Sequence, residues 1–137
     1  KRQMMLNGAL AGLVAITAEP LTPGPITAMF IGSIGAVIMY FGTKMLESYG
    51  LDDVVGAIPV HMFAGIFGTL VVPLTNSDTT FGTQFIGTAS VCLFSFGLSW
   101  ITFTILKSTI GLRISKAAEK LGTDKAEVGV TAYSIRD

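Results

Sequence analysis

Long stretches without a charged residue constrain the fold of this chain more than any other feature. Three such runs, of 24, 24 and 28 residues, cover positions 20–43, 54–77 and 79–106. As helices that rise about 1.5 Å per residue, all three are long enough to cross a bilayer core of roughly 30 Å. Charged residues make up only 13% of the chain, whereas about 25% is usual in soluble domains. The pattern predicts an all-α, polytopic transmembrane helix bundle.

The charge-free runs and an apolar N-terminal stretch divide the chain into four spans and a polar tail. Small residues recur at intervals of four in the first two spans, which favours close packing of helices in lipid. We predict a transmembrane bundle over residues 1–111 and a tail over residues 112–137, with spans at about 3–18, 25–43, 53–72 and 83–111.

Charge also predicts the orientation of the spans. An even number of spans puts both ends of the chain on one side, and all nine Lys and Arg residues then fall on that side. The opposite side carries only Glu19 and Asp78. The positive-inside rule therefore predicts a multi-pass protein of the cell membrane (plasma or inner membrane) with a cytoplasmic C-terminal tail.

The N-terminal stretch has two interpretations. Lys1-Arg2 before an apolar run is typical of a signal peptide, but Glu19-Pro20 stands where a small-residue cleavage site would be needed. We therefore interpret the chain as the later part of a longer polytopic protein.

The only histidine, His61, lies inside the third predicted span. Ionisable groups within a membrane are costly and usually face a bundle interior or a pathway. Imidazole suits a pathway because it can donate and accept hydrogen bonds and can take up a proton near neutral pH. Ala57 and Gly65 stand four residues before and after it, which predicts that the imidazole lies on a narrow helix face. Such a face suits either an open lumen or a packed histidine bonded to a neighbouring carbonyl.

Two carboxylates and a proline precede this histidine. Asp52 or Asp53 is expected to cap the first turn of the third span, and a cation-attracting role at the cytoplasmic mouth is the alternative. Pro59 has no N–H for the carbonyl of Val55, so we expect a kink that leaves this carbonyl free for another donor. The kink either serves the site or only shapes helix packing.

Several functional classes are not supported by the residues present. No second His, Cys or carboxylate stands at ligand spacing on the face of His61, so we predict no metal site and no cofactor. No nucleophile or acid pair shares that face, which argues against an enzyme. The net charge is zero and no basic block exceeds two residues, so no nucleic-acid partner is expected.

Three blocks of the sequence form a recognisable pattern. The first is NGALAGLVAIT at residues 7–17, and the second is Asp52-Asp53 followed by GAIPVH at 56–61 and GIFGTL at 65–70. The third is GLRIS at residues 111–115 with Glu119, Gly122, Asp124 and Ala132-Tyr133. In these blocks, taken in order, the chain resembles the ammonium transporter family (Amt/Mep/Rh). The resemblance implies the C-terminal third of an eleven-span protein, namely spans eight to eleven and the cytoplasmic tail.

The resemblance also implies a function and site residues. Members of the family pass ammonium or ammonia through a narrow apolar pore with a hydrogen-bonded histidine pair. The match makes His61 the second of the pair and places the first upstream of Lys1. Ala57 and Ile58 become candidates for the pore wall, with core packing as the alternative.

Further implications concern partners and the tail. A homotrimer in the lipid bilayer is implied, with a PII-type regulatory protein as a partner at the cytoplasmic tail. For Arg113, snorkelling to lipid headgroups is the simpler account, and a contact between the tail and the cytoplasmic face of the bundle is the alternative. The alternative function is an ammonium sensor, in which the same bundle is fused to a signalling domain.

Overall fold

The computed structural model describes residues 2–130 as helices and connecting turns, with no strand among them. Lys1 and residues 131–137, which include Ala132, Tyr133 and Arg136, lie outside the described residues. The helices are α1 (Arg2–Ile16), α2 (Pro25–Ser48), α3 (Ala64–Val71), α4 (Phe81–Thr109) and α5 (Lys116–Leu121). A π-helical turn, Ile58–Phe63, leads into α3, and a 3₁₀ turn, Val72–Leu74, follows it. The prediction of an all-α fold is thereby confirmed for the described residues.

Two helices meet the length and apolarity needed to cross a membrane. They are α2, with 24 residues, and α4, with 29. Shorter apolar helices cover Gln3–Ile16 and the continuous run Ile58–Leu74. We call this run, composed of the π turn, α3 and the 3₁₀ turn, the composite helix.

Two helix boundaries differ from the predicted spans for identifiable reasons. Helix α2 continues through Ser48, because Lys44 and Glu47 pair at 2.8 Å along its surface and the chain turns only at Gly50, where φ is +68°. The composite helix begins at Ile58 rather than at Asp53, because the backbone turns at Gly56 with φ +74°. Residues 53–56 therefore form a separate turn before the helix.

The chain divides into one compact unit up to Leu93 and a second from Phe94. In the first unit, α1, α2 and the composite helix pack against one another. Its apolar core consists of Ala11, Met39, Val60 and Ala64. A Cβ atom on Gly12 would stand 3.1 Å from the carbonyl oxygen of Gly32, so α1 and α2 approach to backbone contact. This is the close packing that small residues permit in lipid.

Hydrogen bonds join the loops at one end of the first unit. Asn76 Nδ2 donates to Glu19 Oε2 at 2.8 Å, and the backbone N–H of Leu21 donates to Glu19 Oε1 at 3.2 Å. The bond from Asn76, and then that from Leu21, holds the pKa of the Glu19 carboxyl below its ordinary value. This end joins the C-terminus of α1 to the C-terminus of the composite helix, so these two helices run in the same direction.

The second unit contains the later part of α4 and the start of the tail. None of the residues of α4 is buried within the described chain. After α4, Ser115 caps α5 by accepting a hydrogen bond from the N–H of Ala118 at 3.2 Å. Arg113 forms an ion pair with Glu119 at 2.9 Å.

Candidate functional site

The turn before the composite helix is held by the carboxylate of Asp53. Its Oδ1 accepts from the N–H of Ala57 at 2.9 Å, and its Oδ2 accepts from the N–H of Ile58 at 2.8 Å. The first N–H groups of a helix have no partner within it, so a carboxylate at this position satisfies two of them at once. The neighbouring Asp52 is exposed and makes no hydrogen bond or ion pair among the described residues.

These contacts leave two backbone carbonyls without a helical donor. In an α-helix the carbonyls of Val54 and Val55 would accept from positions 58 and 59. The N–H of Ile58 is instead bonded to Asp53, and Pro59 has no N–H to donate. A carbonyl without a partner is costly away from water, so both need donors from elsewhere.

Two amide side chains of α1 supply these donors. Gln3 Nε2 donates to the carbonyl of Val54 at 2.7 Å, and Asn7 Nδ2 donates to the carbonyl of Val55 at 2.9 Å. Gln3 and Asn7 stand four residues apart, so they lie on the same face of α1. Asn7 lies so close to Gly56 that a Cβ atom there would overlap its amide nitrogen. The turn therefore has two contacts with α1 that depend on amide side chains.

His61 follows this turn within the π-helical segment and is exposed on the described chain. Ala57 is also exposed, and Ile58 is 39% exposed. The opposite side of the segment is buried, because Pro59 and Val60 pack inside the first unit. The three predicted pore residues thus lie outside the core of the described chain, and their assignment to a pore stays a prediction.

The π turn changes the face that was expected from helical spacing. The N–H of Ala64 donates to the carbonyl of Pro59, five residues back, which is the π-helical spacing rather than the α-helical one. His61 is exposed, whereas Gly68 is buried against the backbone of Ala15. A uniform count of 3.6 residues per turn from His61 therefore does not describe this helix.

A cleft with a volume of about 120 Å³ lies beside Asp52 and Asp53. It holds three carboxylates, since Glu47 joins the pair, but His61 does not line it. The cleft is lined by Thr43, Leu46, Glu47, Leu51, Asp52, Asp53, Gly56 and Pro59. Within the described residues no group of three His, Cys, Asp or Glu side chains could hold a metal ion.

Sequence reasoning missed Gln3 and Asn7. The signal was present, because two amides four residues apart interrupt an apolar helix and a proline leaves a carbonyl unpaired elsewhere in the chain. What the sequence did not indicate was that this helix and that carbonyl are neighbours. Arg113, for which we considered snorkelling to lipid headgroups and contact with the bundle, pairs with Glu119 within the tail.

Comparison with known proteins gives a single family. The sequence pattern of the Ammonium Transporter Family matches residues 1–133. The chain is 39% identical to ammonium transporter Amt2 of Archaeoglobus fulgidus, over 95% of the chain and 32% of that protein. It is 39% identical to a putative ammonium transporter of Synechocystis, over 90% of the chain and 25% of that protein.

A third relative is less similar in sequence. The chain is 32% identical to an ammonium transporter of Corynebacterium glutamicum, over 94% of the chain and 32% of that protein. The chain thus spans about a quarter to a third of the length of these curated relatives. All three are named as transporters and none as an enzyme.

Proposed function

The chain belongs to the ammonium transporter family, and on that premise we propose that it supplies one pore histidine, His61, to a transporter of ammonium. The supporting observation is that the imidazole lies exposed on an apolar helix whose opposite side is buried. In this proposal the chain is the C-terminal third of the transporter. We place the transporter in the cell membrane with a cytoplasmic C-terminal tail, as the distribution of charge predicts. The homotrimer and the PII-type regulatory partner are those that the family resemblance implies.

The proposed transport step follows from the cost of moving a cation through an apolar pore. An ion that leaves water without a compensating partner pays a large desolvation penalty. Ammonium therefore gives up its proton before the narrow part of the pore, and ammonia passes as a neutral molecule. Neutral imidazole can hydrogen-bond ammonia as donor or acceptor and can carry the proton. Ala57 and Ile58, which are exposed beside His61, would form part of the apolar wall.

Replacement of His61 tests this proposal. In the full-length protein, expressed in a host without its own ammonium uptake, we expect His61→Ala to lower methylammonium accumulation at least about tenfold, as for loss of a proton-transfer group. His61→Asp is expected to alter the selectivity for cations, because it places a carboxylate in the pathway. Growth on low ammonium provides the second measurement.

Two other results would change the assignment. If correctly inserted wild-type protein transports nothing, the same bundle functions as an ammonium sensor rather than a transporter. If wild-type protein transports and neither substitution changes uptake or selectivity, His61 is a packing residue.

A further inference from the structure

We propose that Asn7, together with Gln3, is a positioning residue for His61. This inference rests on the proposed function, and it adds two residues of a different helix to the pore site. Neither amide is near enough in sequence to the histidine to suggest the role. The argument depends on the hydrogen bonds around the turn that precedes the composite helix.

The first step is the complete set of partners at that turn. Asp53 occupies the N–H groups of Ala57 and Ile58, and Pro59 contributes none. The first backbone bond of the segment is from the N–H of Val60 to the carbonyl of Gly56, at 3.1 Å. The N–H of Gly56 bonds the carbonyl of Asp53 at 3.0 Å, and the carbonyls of Val54 and Val55 are left to Gln3 and Asn7. The start of the segment is therefore connected to α1 through side chains.

The second step concerns what these bonds determine. Gly56 has a φ of +74°. Residues with a side chain rarely adopt this conformation, whereas glycine adopts it as readily as many others. The direction in which the composite helix leaves this turn is thus fixed by contacts rather than by glycine itself. Asn7 contacts Gly56 and bonds the adjacent carbonyl. Loss of the Asn7 amide removes the bond to Val55, two residues before Ala57. The turn is then free to move, and the residues that follow it, including His61, change position.

The third step is that transport depends on position. Misplacement of a reacting group by about 1 Å can lower a rate about a hundredfold. Asn7 itself is bonded to the backbone and is partly buried. Its effect on transport therefore acts through the histidine and is distinct from substrate recruitment.

The test is Asn7→Leu in the full-length protein, with methylammonium uptake measured per correctly inserted molecule. Leucine keeps the branched arrangement of the asparagine side chain and removes the donor. The matched control is Asn76→Leu, which removes another amide bond, the 2.8 Å contact to Glu19 at the other end of the same helices. We expect Asn7→Leu to lower the maximal rate about tenfold or more with less than about a twofold change in KM. Asn76→Leu should leave the rate per inserted molecule and the KM unchanged.

The outcomes separate this inference from the proposed function. If wild-type protein transports and His61→Ala impairs it, but Asn7→Leu behaves like Asn76→Leu, then Asn7 has no positioning role. A parallel rise in KM would also overturn the inference, because it would indicate a role in binding. If Asn7→Leu does not insert, Gln3→Leu removes only the bond to Val54 and is measured instead. We expect Gln3→Leu to lower the maximal rate by less than the tenfold expected for Asn7→Leu. An unchanged maximal rate rejects the proposal.

Discussion

Asp53 and Asp52 show that adjacent, identical residues have different structural roles. Asp53 accepts two backbone N–H groups, whereas Asp52 is exposed and has no hydrogen bond or ion pair among the described residues. Only Asp53 therefore contributes hydrogen bonds to the start of the composite helix. The two side chains share a cleft with Glu47, so their charges are close in space although their contacts differ.

We expect Asp53→Ala to destabilise the protein by about 1–2 kcal/mol, the usual cost of removing a side chain that satisfies helical N–H groups. Asp52→Ala is the matched control, and its effect should be small. Thermal unfolding of the purified protein in detergent measures both. Equal losses for the two variants would show that the carboxylates act through charge in the cleft rather than through hydrogen bonds.

Two glycines of the composite helix, Gly65 and Gly68, also differ in how closely other atoms approach them. A Cβ atom on Gly68 would overlap the backbone of Ala15, whereas one on Gly65 would stand 3.6 Å from Val14 Cγ1, an ordinary contact. We expect Gly68→Ala to cost about 1–3 kcal/mol, as for overpacking of a tight core, and Gly65→Ala to be close to neutral. The yield of folded protein and its thermal midpoint test this pair. A Gly65→Ala variant as unstable as Gly68→Ala would mean that helix flexibility, and not close approach, explains both glycines.

At the scale of elements, the composite helix has the most unusual local structure. Its π turn coincides with Pro59, and the carbonyl that proline leaves without a backbone donor is bonded by Asn7. The sequence predicted the missing donor and the availability of the Val55 carbonyl. It did not predict that the donor comes from α1, because hydropathy gives no information about which helices are neighbours.

Pro59→Ala should make Asn7 less important. Alanine restores an N–H that can bond the carbonyl of Val55, so loss of the Asn7 amide no longer leaves that carbonyl unpaired. We expect the cost of Asn7→Leu, about 0.5–1.5 kcal/mol for the loss of one hydrogen bond, to be smaller in the Pro59→Ala background. A double-mutant cycle on thermal stability gives the difference. Strictly additive effects would show that the two residues act on different groups.

The ends of two helices show which helix boundaries can be predicted from the sequence. The existence of the helices was predictable from the charge-free runs. The end of α2 was not, because the predicted loop contains Lys44 and Glu47, which pair along the helix instead of ending it. The start of the composite helix was also missed, since Asp53 marks the capping side chain rather than the first helical residue. The relation of His61 to its neighbours depends on the π turn, and no periodicity in the sequence indicates it.

On the scale of the whole molecule, the first unit is connected at both ends of α1. Gln3 and Asn7 bond the turn before the composite helix, and Glu19 bonds Asn76 just after it. α1 thus spans the length of the helix that carries His61. The two connections differ in chemistry, because only the second contains an ionisable group.

This difference predicts how stability depends on pH. Hydrogen bonds lower the pKa of Glu19 in the folded protein, so its contribution to stability is present above the pKa of the unfolded chain, about 4.3, and is lost as pH falls through the lower folded value. We expect wild-type protein to be more stable than Glu19→Gln near neutral pH. The gap should close as pH falls through the folded pKa of Glu19, which lies below its ordinary value. Thermal midpoints of the two proteins across pH provide the measurement, and a gap independent of pH would exclude the carboxylate as its source.

The connection beside His61 involves only side-chain amides and backbone carbonyls. Neither group gains or loses a proton at any pH at which the protein is folded. The segment that carries His61 is therefore attached to α1 through bonds that are themselves insensitive to acid. If His61 relays protons as we propose, the link between its helix and α1 keeps the same strength in either charge state of the imidazole.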